Sequence, residues 1–147
     1  MKILRHLLIF AAALSLAGCS LISVAPEGDK VVPPKFPHDE VSNAGWAHTQ
    51  AQSFMAWASL MGTDEQRAAV DGRVVNVGGD WSDRSGIAWV LTDHVDSEEA
   101  RIVADAFSQW EENADIPVRV AIYGSAQELL YLGCSEGERE EQIQPCV

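Results

Sequence analysis

Long apolar runs, basic charge and catalytic signatures are what this sequence has least of. A helix that crosses about 30 Å of hydrocarbon needs roughly 20 apolar residues, and the run Leu7 to Leu14 falls far short of that. Only 10 Lys and Arg stand against 22 Asp and Glu, a formal charge of −12, which argues against nucleic acid as a partner because phosphate contacts are made by basic side chains. No Gly-x-Ser-x-Gly elbow, Walker loop, His-Glu-x-x-His or Cys-x-x-Cys pair occurs. No internal repeat is visible either. What remains is an ordinary soluble composition, 47% hydrophobic over 147 residues, enough for one modest domain.

The first residues are organised differently from the rest. Lys2 and Arg5 precede the apolar run Leu7–Leu14, and small residues follow it. This order is that of a secretory signal peptide. Leu16-Ala17-Gly18-Cys19 closes the segment and resembles the lipobox of bacterial lipoproteins, over residues 1–19 alone. The resemblance implies cleavage before Cys19, acylation of Cys19 and attachment to a membrane through its acyl chains. Ordinary secretory cleavage nearby, with Cys19 as a plain thiol, is the alternative. Ser20 rather than Asp follows the Cys, which by resemblance to enteric-type lipoproteins points to the outer membrane, facing the periplasm. The rule varies among bacteria, so inner membrane and cell surface stay open.

Loss of Lys2 and Arg5 with the signal peptide leaves 8 basic and 22 acidic residues, a formal −14. Such a surface favours solubility and repels anionic head groups. Residues 19–44 read as a tether, interrupted by Pro26, Pro33, Pro34 and Pro37. As a coil of about 25 residues it would hold a domain roughly 25–30 Å from the anchor. The globular unit is then expected over 45–134, followed by an acidic tail at 135–147.

Periodicity predicts the order α-α-β-β-α-β-α. Trp46–Met61 reads as the first helix and Thr63-Asp64-Glu65-Gln66 as a capping box for a second. Arg73–Val77 and Gly86–Thr92 read as strands, joined by a polar loop. Asp96 or Ser97 caps a helix over about 97–113, and Pro117–Tyr123 alternates as a third strand. Ser125–Leu132 reads as a short last helix. The expected fold is α+β: a small two-layer domain whose three-stranded, mostly antiparallel sheet has the first strand in the centre and helices on one face.

Few residues suggest chemistry. Cys134 and Cys146 form an even pair in an exported chain and are expected to make a disulfide, closing the acidic tail. Asp93-His94-Val95-Asp96 sets carboxylates beside an imidazole, as a general base would need, yet Asp96 as helix cap explains the segment without catalysis. Asp80, Ser82 and Asp83 could offer oxygens to calcium but lack the spacing of an EF-hand loop. Trp81 sits between two polar residues of that loop, where an exposed ring would serve binding. The lead expectation is therefore a non-enzymatic, lipid-anchored envelope protein that engages another envelope protein. The alternatives are a periplasmic small-molecule or glycan-binding module using Trp81, Asp80 and Asp83, or a small wall-active hydrolase using His94. No cofactor or metal is implied.

Overall fold

In a computed structural model of the chain, the described residues are 31–39, 41, 44–81, 86–110, 119–134 and 143–146. Helix α1, Ala44–Met61, buries Ala47, Ala51, Phe54 and Ala58 completely. These recur every three or four residues, and the alanines let the helix lie close to the sheet. Gly62 ends it by donating its N–H to the Ala58 carbonyl, where a Cβ would come within 2.6 Å of that oxygen. Helix α2, Asp64–Val70, carries the predicted capping box. The Gln66 N–H donates to Thr63 Oγ1 at 3.1 Å and the Thr63 N–H to Gln66 Oε1 at 3.0 Å. Helix α3, Ser97–Gln109, is capped by Asp96, whose Oδ1 accepts from the N–H groups of Glu98 and Glu99. Its buried stripe is Ala100, Val103, Ala104 and Phe107.

The strands are β1 (Val74–Asp80), β2 (Ile87–Thr92), β3 (Arg119–Tyr123), β4 (Leu129–Cys134) and β5 (Gln144–Pro145). They form one mixed sheet in the order β1-β2-β3-β4-β5. The α+β class and the helices on one side stand. The three-stranded sheet does not, in two respects. Strand β1 is an edge and β2 is interior, paired antiparallel to β1 and parallel to β3. All six residues of β2 are buried, as a strand covered on both faces requires. And the last helix expected over Ser125–Leu132 is a turn followed by β4.

That turn has a clear local cause. Gln127 takes a positive φ of 64°, its N–H donates to the Gly124 carbonyl, and the Gly124 N–H donates to the Glu128 carbonyl. The chain therefore doubles back and β4 pairs antiparallel with β3, with a register shift between Ile122 and Tyr123. Strand β5 pairs antiparallel with β4, and Cys134 and Cys146 sit at disulfide distance across this edge, their Cα atoms 5.3 Å apart.

The sheet has two cores. On the helix side, Phe54, Val77, Val90, Phe107 and Ile122 belong to one cluster. On the other side, Ile87, Trp89, Leu91, Ala121 and Tyr123 form a second, because successive strand residues face opposite ways. The second cluster is covered by Val32, Phe36 and Val41, within what the proline spacing marks as tether. Phe36 is only 4% exposed and packs edge-on against Tyr123 with ring centroids 5.5 Å apart. The segment is also hydrogen-bonded: Phe36 N–H to Gln127 carbonyl at 2.9 Å, Leu129 N–H to Pro34 carbonyl at 3.2 Å, and Tyr123 hydroxyl to Pro33 carbonyl at 3.0 Å. The domain thus begins before residue 44.

Candidate functional site

The two ends of the sheet carry different chemistry. At one end β1 finishes at Asp80 and β2 begins at Ile87. There α1 starts: a Cβ on Gly78 would meet Val41 at 2.9 Å, and Trp46 lies against Trp81 with centroids 5.7 Å apart and planes 34° apart. Trp81 is half-buried and also lies edge-on to Phe107 at 5.6 Å. Phe107 meets Trp110 at 5.7 Å and Phe54 at 5.4 Å. The Trp81 ring is therefore backed by the core, while Trp46 beside it is 42% exposed.

Sequence reasoning singles out Trp81 and gives Trp46 only as the start of the first helix. The signal was available: Trp46 lies one residue before the stripe Ala47, Ala51, Phe54, Ala58, hence about 100° around the helix from it. Asp80 lies at the exposed end of β1. Asp83 and Ser82 lie outside the described residues, as does Cys19. Among the described residues, no group of three or more His, Cys, Asp and Glu side chains is arranged to hold a metal.

His94 is at the opposite end, beyond β2, and is 1% exposed. Its Nε2 is 2.7 Å from the Ala69 carbonyl oxygen, which can only accept, so Nε2 carries a proton. Its Nδ1 lies 2.8 Å from Glu99 Oε2 and 3.1 Å from Arg73 Nη2. A neutral ring accepts there from Arg73, and a charged ring donates to Glu99. Arg73 is also bonded to Asp93, a hydrogen bond that pushes the guanidinium further up from its ordinary value. The His94 carbonyl accepts from the Ser125 N–H. The ring thus ties α2, α3 and the start of β1, and its own backbone holds the β3–β4 turn.

The carboxylates flanking His94 are occupied in the same way. Asp93 holds Arg73, and Asp96 caps α3. The Glu99 and Glu98 backbone N–H groups hold the Asp96 carboxyl below the usual carboxylate range, the Glu99 contact contributing most. Asp93, His94 and Asp96 are thus brought together as a structural joint, with the imidazole enclosed. The arrangement can bind strands and helices to one another; it offers no open face at which His94 could meet a substrate. Among the described residues, the candidates that remain reachable are the Trp46–Trp81 pair and Asp80.

No protein-family model matches the chain, and no curated protein or solved structure proves similar to it.

Proposed function

We propose that the chain is a lipid-anchored protein of the bacterial envelope, acylated on Cys19, lying at the outer membrane and facing the periplasm, where it acts without catalysis by engaging another envelope protein. The observation that carries this reading is the Trp46–Trp81 pair. It joins one exposed indole to one that is fixed by the core, and such rigid aromatic anchors dominate protein contacts because little side-chain entropy is lost on binding. The pair sits at the end of the sheet away from Pro33 and Pro34, where the N-terminal segment joins the fold. A domain held by its N-terminus would present this end outward. Tethering raises the effective concentration for a weak partner. The use of His94, Asp93 and Asp96 as a structural joint further favours a binding role over hydrolysis.

The test is in-cell crosslinking of the full-length chain followed by mass spectrometry, with Cys19→Ser and Trp46→Ala as comparisons. One reproducible envelope protein, lost in both variants, is the expected result. Capture that survives Trp46→Ala assigns the contact to another surface, and absence of any protein above background overturns the reading. A small-molecule or glycan ligand is a second reading that draws on the same two rings, since a sugar face stacks on an indole. It predicts quenching or a shift of tryptophan emission when wall fragments are titrated in, absent in Trp46→Ala.

A further inference from the structure

The exposed aliphatic side chains are not scattered. Among the described residues six large hydrophobic side chains are exposed: Val31 at 88%, Leu60 at 81%, Met61 at 74%, Val95 at 72%, Val75 at 46% and Trp46. All but Trp46 lie at one end of the domain. The sheet registers define that end. Val74 pairs with Thr92, Leu91 with Tyr123, and Tyr123 with Leu129, so the start of β1, the ends of β2 and β3 and the start of β4 are level.

Val75 sits at the register shift beside Val74, and Val95 follows Thr92 by three residues. Val31 precedes Pro33 and Pro34, whose carbonyls accept from Tyr123 and Leu129. Leu60 and Met61 close α1, whose start is at the far end beside Gly78 and Trp81. Helix α2 holds their neighbours in place: Arg67 donates to the carbonyls of Ser59 and Gly62, while Ala69 accepts from His94. The end that presents Val31, Leu60, Met61, Val75 and Val95 is thus also the end at which the N-terminal segment enters.

Resting on the reading of Cys19 as the acylated anchor, we propose that this end of the domain is a membrane-contacting face that lies on the zwitterionic phospholipid surface, with these aliphatic side chains in the interfacial layer. The length of the intervening chain supports a lipid occupant. Eleven residues, 20–30, separate the anchor at Cys19 from Val31, and fully extended they reach about 40 Å at most. Any other occupant would have to compete with a bilayer held within that distance.

Charge at this end selects the lipid. The guanidinium of Arg67 is paired with Asp64 at 3.0 Å and that of Arg73 with Asp93, and Lys35 Nζ donates to the Ala126 carbonyl at 3.1 Å. Asp71 and Asp96 add further negative charge. Anionic head groups would meet carboxylates, whereas phosphocholine or phosphoethanolamine head groups would not be repelled as a class. A weak apolar contact suffices, because the anchor keeps the surface at high effective concentration.

The test compares amide hydrogen exchange of the full acylated chain in phosphatidylcholine nanodiscs with that of the Cys19→Ser chain mixed with the same nanodiscs. Exchange is expected to slow several-fold at 59–62 and 94–97 in the anchored chain, with 45–48 at the Trp46 end unchanged. Leu60→Ser/Met61→Ser/Val95→Ser should abolish the slowing and leave the far end as it was. Replacing a third of the lipid with phosphatidylglycerol should weaken the slowing; a stronger effect would overturn the charge argument and with it the stated occupant. Mass spectrometry of the mature chain separates the two layers of the reading. A chain not acylated at Cys19 removes both anchor and surface. An acylated chain with equal exchange at both ends removes the surface alone. Slowing that appears in the unanchored chain without nanodiscs assigns the face to a second copy of the chain instead.

Discussion

Phe36→Ala distinguishes a chain whose fold begins near residue 31 from one that is a tether up to residue 44. Phe36 is almost fully buried between Tyr123 and the second cluster of Ile87, Trp89 and Leu91. Removing a buried Phe ring costs about 3–5 kcal/mol where neighbours cannot close over the cavity. Here the loss has a ceiling. The segment 31–39 is held by few backbone hydrogen bonds, so it can detach locally once detachment costs less than the cavity. About 3 kcal/mol is therefore expected, close to the lower bound. With a urea slope of about 1–1.5 kcal/mol/M for a domain of this size, the midpoint should fall by about 2–3 M.

The assay is urea unfolding of the oxidised, unacylated chain followed by far-ultraviolet circular dichroism, with Tyr123→Phe in parallel. Tyr123→Phe removes only the hydroxyl that donates to Pro33 and should cost about 1 kcal/mol. Detachment in Phe36→Ala carries a further signature: less surface is left to expose, so the slope falls along with the midpoint. A Phe36→Ala cost below about 0.5 kcal/mol, in the range of an ordinary surface substitution, would refute the assignment of 31–39 to the fold and restore them to the tether.

Cys134→Ser/Cys146→Ser should lower stability by up to about 3 kcal/mol, the chain-entropy value for closing a loop of some 13 residues; because Ile143 is buried and its N–H donates to Asp105 Oδ1, rapid amide exchange at 143–146 should accompany the loss, and an unchanged midpoint would show the bridge to be dispensable. Asp96 and Asp105 should give opposite pH signatures. Asp96 has a carboxyl held below its ordinary value by the α3 backbone N–H groups, so its contribution is present above the unfolded pKa near 3.9 and is lost as pH falls through the lower folded value. Asp96→Asn should therefore be less stable than the parent at pH 7 and approach it in strong acid. Asp105 is pushed up by burial, against the opposing bonds from Ile143 and Arg101, so its ionised form disfavours folding. Asp105→Asn, whose amide oxygen can still accept from Ile143, should be at least as stable as the parent at pH 7, the gap closing as the parent protonates. Urea midpoints from pH 7 to pH 2 check both signs.

Where local rules act alone, structure was legible in the sequence. Thr63 and Gln66 cap α2, Asp96 caps α3 and Cys134 meets Cys146, each as side-chain chemistry dictates. The misreadings have particular causes. In β4 the register shift beside Tyr123 sends Leu130 and Tyr131 to the helix side while Leu129 and Leu132 face the other. That breaks the alternation that marks a strand, and Leu-Leu-Tyr-Leu then passes for a helical turn. The order of strands is not fixed by the β character of Ile87–Leu91 alone. An unbroken apolar run is the mark of an interior strand, and the polar Asn76 and Asp80 mark β1 as the edge. For residues 31–39, proline spacing identifies an irregular segment but says nothing of whether its one aromatic, Phe36, finds a cavity. The candidate site was half visible: Trp81 stood out, but its pairing with Trp46 depends on how α1 meets the end of β1, a long-range contact that no local pattern encodes.

A tether of eleven residues rather than some 25 would change what an anchor at Cys19 does, because the domain itself would then supply more of the reach. Helix α1 rises about 1.5 Å per residue, so Trp46 stands about 21 Å from Leu60 along it, beyond the depth at which a face resting on lipid would be immersed. If the aliphatic end rests on the bilayer, the aromatic pair is held at that fixed height. If the tether alone positions the domain, its height follows the tether length. Inserting twelve Gly and Ser residues after Lys30 separates these. Doubling a flexible link lowers effective concentration about threefold, so slowed exchange at 59–62 and 94–97 should weaken by up to that factor, because a contact without charge complementarity is not saturated. Partner capture through Trp46 should persist, since the pair still faces outward whenever the contact forms. Capture that disappears while the slowed exchange is unchanged would mean that tether length, and not the aliphatic face, sets the working height of the aromatic pair.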